Sequence, residues 1–153
     1  MDLIFWRHAE AFDALEGQDD LSRTLTPKGE KQAVRMSQWL DRQVPEGIRV
    51  MSSPAVRCEQ TVKALGRKVK YKSELLPNAS LDDLLVTAGW PDSKMSVLIV
   101  GHQPVLGQAV AYLLGFANGE CSVRKGAVWW LRSRVRDGDT QTVVVSVQTP
   151  ELL

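Results

Sequence analysis

Short apolar runs alternate with helical patterns along most of this chain, and that alternation constrains its fold more than any other feature. Ser96-Val97-Leu98-Ile99-Val100 reads as a strand buried on both faces, which requires a layer packed against each side of its sheet. Leu3-Ile4-Phe5-Trp6 is a similar run ending at Arg7-His8; Ile48 to Met51 is a third, and Val69 to Lys72 a shorter one. Thr26-Pro27 is a helix start, with a hydroxyl that caps orphan amides and a proline whose missing N–H does no harm. Ala33, Met36, Leu40 and Val44 then fall on one helical stripe. Ser53-Pro54 repeats the pattern, with Ser53 as cap, before the stripe Ala55, Cys58, Val62 and Leu65. Leu81 to Ala88 predicts a short helix ending near Gly89. Gly101-His102-Gln103-Pro104 turns the central strand into a helix with Leu106, Ala109, Val110, Leu113 and Leu114 inward. Two β-rich runs, Ala127 to Leu131 and Thr142 to Val147, flank Asp137-Gly138-Asp139 as a hairpin. The expected fold is a three-layer α/β/α sandwich with a mostly parallel central sheet and an antiparallel edge.

At 153 residues, residues 1–153 are expected to form a single domain. Lys and Arg number 19 against 18 Asp and Glu, a net charge of +1 that argues against a dedicated nucleic-acid binder. Ala109 to Ala117, the longest mainly apolar stretch, is broken by Gly115 and is far short of the ~20 residues that span a bilayer. Met1-Asp2-Leu3 shows no basic region or cleavage site, and Cys58 and Cys121 have no CxxC spacing, so free thiols in a reducing cytoplasm are expected. No membrane association is expected, and the chain is read as a monomer.

In sheets of this kind, function gathers outside the carboxyl ends of the strands. The two histidines, His8 and His102, both lie just past such an end, and so belong on one rim. Two unrelated loop histidines are the plain alternative. Arg7, directly after an apolar strand, must leave the core or meet a buried anion. Arg57, one turn into the helix capped by Ser53, sits at the positive end of the macrodipole, where a cation is disfavoured unless an anion joins it. Two arginines, two histidines and helix N-termini make a phosphate site with a nitrogen nucleophile. A neutral imidazole can attack phosphorus and hold the phosphoryl group covalently, while guanidinium forks match its oxygens.

Arg7-His8-Ala9-Glu10 after the first strand resembles the signature of the histidine phosphatase superfamily, also called phosphoglycerate mutase-like. The resemblance continues, in the family's order, through Arg23 to Gly29, Ser52 to Thr61 and Val100 to Pro104. The compact length, Glu74-Leu75-Leu76-Pro77 and the GH-x-P ending are most similar to the SixA-type phosphohistidine phosphatases. That resemblance implies His8 as nucleophile, with Arg7, Arg57 and His102 completing the phosphate pocket. Arg23 matches a family position that touches phosphate or substrate; a loop ion pair with Asp19 or Asp20 is the other reading. The activity it implies is a phosphatase working through a phosphohistidine intermediate; two histidines sharing a rim with two arginines make a poor metal site, so no metal and no cofactor are expected.

No carboxylate stands out as a proton donor between residues 54 and 95. Glu74 is the weak candidate, against a solvated strand end; Asp82 and Asp83 read as helix-start acids. An alkoxide leaving group usually needs such an acid. A phosphorylated imidazole can be protonated on its other nitrogen and leave neutral, so the expected partner is a protein bearing phosphohistidine, in signal transduction. The alternatives are a small phosphate ester as substrate, or a catalytically weak phosphate-binding signalling module. Lys63, Arg67, Lys68, Lys70 and Lys72 read as a solvated face, one of Trp129 and Trp130 as core, and Cys58 as core rather than nucleophile. A bound phosphoryl dianion is expected to outweigh the helix terminus near His102 and protonate that ring.

Overall fold

In the computed structural model, which describes residues 1–153, the chain forms ten regular elements joined by loops and three short 3-10 turns. They are β1 (Asp2–Arg7), α1 (Pro27–Gln43), β2 (Arg49–Ser52), α2 (Val56–Lys63), β3 (Lys70–Tyr71), α3 (Leu81–Ala88), β4 (Val97–Gly101), α4 (Val105–Leu114), β5 (Val128–Arg136) and β6 (Asp139–Gln148). The strands make one sheet in the order β3-β2-β4-β1-β5-β6. β3, β2, β4 and β1 are parallel, while β5 pairs antiparallel with both β1 and β6.

Alternation along the strands separates two cores. Leu3, Phe5, Val97 and Ile99 face α3 and α4, meeting Leu84, Leu85, Leu106 and Val110. Ile4, Trp6, Leu98 and Val100 face α1 and α2, meeting Met36, Leu40, Cys58 and Val62. Two helices therefore cover each face, giving the expected three layers. β4 is buried along its whole length, because both its neighbours and both helix layers enclose it. Each such aliphatic side chain contributes about 1.5–3 kcal/mol on leaving water. Trp129 and Trp130 pack against opposite cores, and Trp130 is the buried one.

Local signals explain most boundaries. Thr26 Oγ1 accepts from the Gly29 amide at the start of α1. Ser80 and Asp83 form a reciprocal capping box on α3, which ends at Gly89 in the left-handed conformation. Asp137 and Gly138 both adopt positive φ in the β5–β6 turn. That hairpin runs well past Leu131, further than its apolar pattern indicates: beyond Ser133 both strands leave the helix layers, and Arg134, Val135 and Arg136 are exposed. No helix is long and apolar enough to cross a membrane.

Candidate active site

Three adjacent parallel strands end side by side, and each hands a polar residue to the same rim. His8 follows β1, Ser53 follows β2 and His102 follows β4. The ladder extends one step to hold them: His8 N–H donates to Gly101 O at 3.1 Å and Ser53 N–H to Val100 O at 3.0 Å. The imidazole centroids of His8 and His102 are 5.3 Å apart.

Arg57 enters from α2. The helix begins at Val56 after Ala55, so Ser53 is not its cap, and Arg57 lies in the first turn, closer to the helix start than the sequence implies. The reason is that the Ser53 hydroxyl, while accepting from Ala55 N–H at 3.2 Å, also lies 2.8 Å from His102 Nε2. Thr61, further along α2, braces the site: its hydroxyl accepts from Ala9 N–H at 3.0 Å and donates to Arg57 O at 2.7 Å. Gly29 lets α1 come just as close, since a Cβ there would overlap the Glu10 carbonyl.

The pocket at this rim has a volume of about 170 Å³ and is lined by Arg7, His8, Arg23, Arg57 and His102, together with Asp13, Gln103 and Lys125. All five sequence-derived site residues thus converge. Arg23 forms the loop ion pair, its Nε donating to Asp20 Oδ1 at 2.9 Å, and it also lines the pocket. Glu74 does not line the pocket; it is exposed in a 3-10 turn, and the nearby residue that reaches the site is Pro77. A larger groove of about 480 Å³ lies on the β5–β6 hairpin among Arg132, Arg134 and Arg136, but it holds no histidine, cysteine or carboxylate. No three His, Cys, Asp or Glu side chains gather as metal ligands.

The lining carboxylate, Asp13, and the lining ammonium, Lys125, were not foreseen. Asp13 is one acid among several in a long polar loop, and nothing in its spacing marks it. Lys125 had a usable signal. β5 runs antiparallel beside β1, so its beginning lies at the rim where the parallel strands end. Arg7 N–H donates to Ala127 O and Gly126 N–H to His8 O, fixing that loop against the site.

Electrostatics sort the groups. His8 Nδ1 lies 2.8 Å from Ala9 O, which can only accept, so Nδ1 carries the proton and Nε2 keeps its lone pair. Burial pushes the His8 pKa from 6.5 down to about 4, with repulsion from Arg57, Arg7 and Arg23 adding to it. Burial likewise pushes His102 down to about 3, helped by His8 and Arg57. Arg7 donates one amino group to Val123 O, and Arg57 donates to Asp20 O and Oδ2. The Nε of each guanidinium is buried with no protein partner. Desolvation alone would raise the Asp20 carboxyl, but hydrogen bonding and charge from Arg57, then Arg23, hold it below its usual range. Cys58 is fully buried and its pKa is pushed up to about 12 by burial, as fits a core thiol.

A family model described as the histidine phosphatase superfamily (branch 1) matches residues 3–84. The phosphohistidine phosphatase SixA of Escherichia coli (strain K12) is 33% identical over 121 residues, covering 74% of this chain and 74% of that protein. The SixA homolog of Haemophilus influenzae is 30% identical over 135 residues, covering 77% of this chain and 80% of that protein. A solved structure of the protein histidine phosphatase SixA complexed with tungstate superposes with a TM-score of 0.77 at 25% identity, over 99% of both chains. The family match, the relatives spanning most of the chain and the shared fold agree: the chain belongs to branch 1 of the histidine phosphatase superfamily and is a phosphatase.

Proposed function

We propose that the chain hydrolyses phosphohistidine on a protein partner through a covalent intermediate on His8. The observation that carries this reading is the His8 ring: Nδ1–H is tied to Ala9 O, and the Nε2 lone pair is left toward a pocket shared with two guanidinium groups. In the first step His8 Nε2 attacks phosphorus and the bond from phosphorus to the substrate imidazole breaks. That imidazole carries a proton on its other nitrogen and departs neutral. In the second step water attacks phosphorus, the bond to His8 Nε2 breaks, and inorganic phosphate leaves. Arg7 and Arg57 balance the phosphoryl charge, whose positioning and stabilisation supply most of the catalysis in such transfers.

The pocket volume supports a displayed substrate, because about 170 Å³ holds a phosphoryl group and leaves the rest of the substrate outside. The names of the SixA relatives support phosphohistidine as the leaving residue. A small phosphate ester is the second reading, favoured by Asp13, a carboxylate at the pocket that can protonate an alkoxide. The deciding experiment offers purified protein a phosphohistidine protein and common phosphate esters side by side, with excess chelator throughout. Turnover of the phosphohistidine protein at rates well above the esters is expected. Faster ester turnover favours the second reading, loss of all activity to chelator contradicts the metal-free mechanism, and no turnover of either leaves a phosphate-binding module.

A further inference from the structure

The His102 ring has one end inside the protein and one end at the pocket. Its Nε2 lies 2.8 Å from the Ser53 hydroxyl and 3.5 Å from the Cys58 thiol, and both of those residues are fully buried. No protein hydrogen bond engages its Nδ1, in a residue that is buried yet lines the pocket.

What the pocket binds decides which way the proton between Ser53 and His102 points. Ser53 Oγ already accepts from Ala55 N–H, and no carbonyl or carboxylate lies within hydrogen-bonding distance of that hydroxyl. Its own proton has two acceptors in reach, His102 Nε2 and the Cys58 sulfur. The Cys58 thiol stays protonated in its apolar surroundings, and its sulfur lies within reach of both Nε2 and the Ser53 hydroxyl. A phosphoryl oxygen only accepts, so a neutral His102 that serves the phosphate carries its proton on Nδ1, and Nε2 then accepts from the Ser53 hydroxyl.

We propose that Ser53 is a positioning residue that locks His102 in the Nδ1–H tautomer, so that a neutral His102 donates a hydrogen bond to a phosphoryl oxygen. This rests on the phosphatase reading above, and it replaces the expectation that anion binding protonates His102. A proton on Nε2 would turn the Ser53 hydroxyl toward the Cys58 sulfur and leave Nδ1 only a lone pair to present to a phosphoryl oxygen. Arg7, Arg57 and His8 also oppose another cation there, against the single attraction of Asp20. The two histidines then differ by which end they present. Both carry Nδ1–H, but His8 turns its Nε2 lone pair to the pocket and acts as nucleophile, whereas His102 turns its N–H and acts as donor.

The test is a long-range proton–nitrogen correlation spectrum of the two imidazoles in nitrogen-15-labelled wild-type protein, with and without tungstate, assigned with His8→Gln. His102 is expected to show protonated Nδ1 and unprotonated Nε2 in both spectra, with the Nδ1–H signal shifting when tungstate binds. Ser53→Ala should give a tautomer mixture and lower kcat by about 10–100-fold, the scale for losing a group that orients an imidazole. Its KM should change by less than about threefold, since the interaction lost serves the transition state. Ser53→Thr, which keeps the hydroxyl, should retain the tautomer and most of the rate. His102 observed as the Nε2–H form, or as imidazolium with tungstate, overturns the proposal, as does an unchanged tautomer in Ser53→Ala. The wild-type spectrum needs no turnover, so its failure leaves the phosphatase reading standing; failure of turnover with the tautomer intact strikes that reading instead.

Discussion

Asp20 holds Arg57 at two points, accepting from one amino group through its backbone carbonyl at 2.8 Å and from the other through Oδ2 at 3.0 Å. The same carboxylate accepts from Arg23, so one exposed aspartate joins two of the pocket's cations. Asp20 thereby aims both guanidinium groups while contributing negative charge beside an anion site.

Asp20→Asn should separate these effects. Removing the charge is expected to tighten tungstate binding by about 2–5-fold, the scale of a partly exposed ion pair. The loosened Arg57 should lower kcat at the same time. Calorimetric titration and steady-state kinetics read the two quantities; weaker tungstate binding in the variant contradicts the electrostatic competition.

Arg57→Ala should preserve the fold and lower the rate by roughly 10²–10³, as for loss of one oxyanion donor. Arg57→Lys should recover only part of it, because an ammonium cannot reproduce the planar fork that reaches both Asp20 acceptors through separate amino groups. Unchanged kinetics in Arg57→Ala would remove Arg57 from the chemistry.

The pH profile should follow the buried histidines. The nucleophile is neutral imidazole, so activity is lost as pH falls through the His8 pKa near 4 rather than through the ordinary 6.5. kcat/KM, corrected for substrate ionisation, should be flat from pH 8 to about 5 and fall below that. Stability moves in the same direction. Between 6.5 and about 4 the unfolded chain binds protons that folded His8 and His102 refuse, so stability declines as pH falls across that window. An acid limb centred near 6.5 contradicts the burial argument.

Gly29→Ala should cost about 1–3 kcal/mol, the usual penalty for overpacking a close contact. The new Cβ must push away the Glu10 carbonyl, which also accepts from Thr26 N–H. Denaturant unfolding measures the loss, and a variant as stable as wild type means that α1 and the loop after His8 can separate freely.

The layers and the four core site residues were legible from local signals: apolar alternation for the strands, Arg7 ending β1, His8 and His102 directly after β1 and β4, and Arg57 in the helix start after Ser53-Pro54. The capped start of α1 and the left-handed end of α3 were legible for the same reason. What escaped depends on contacts between segments distant in sequence. Lys125 reaches the site only because β5 pairs antiparallel with β1. Asp20 becomes Arg57's partner only when the loop before α1 folds over α2. Ser53 has the composition of a helix cap, and only the neighbouring β4 reveals that its hydroxyl serves His102.

The central claim is that His8 forms the bond to phosphorus. Brief reaction with a phosphorus-32-labelled phosphohistidine protein, quenched in alkaline denaturant, should leave label on the His8 peptide of the wild type, stable in alkali and lost in acid. His8→Ala should melt as a folded protein, carry no label and show no turnover. Turnover by His8→Ala at the wild-type rate, or label residing on another residue, would contradict it.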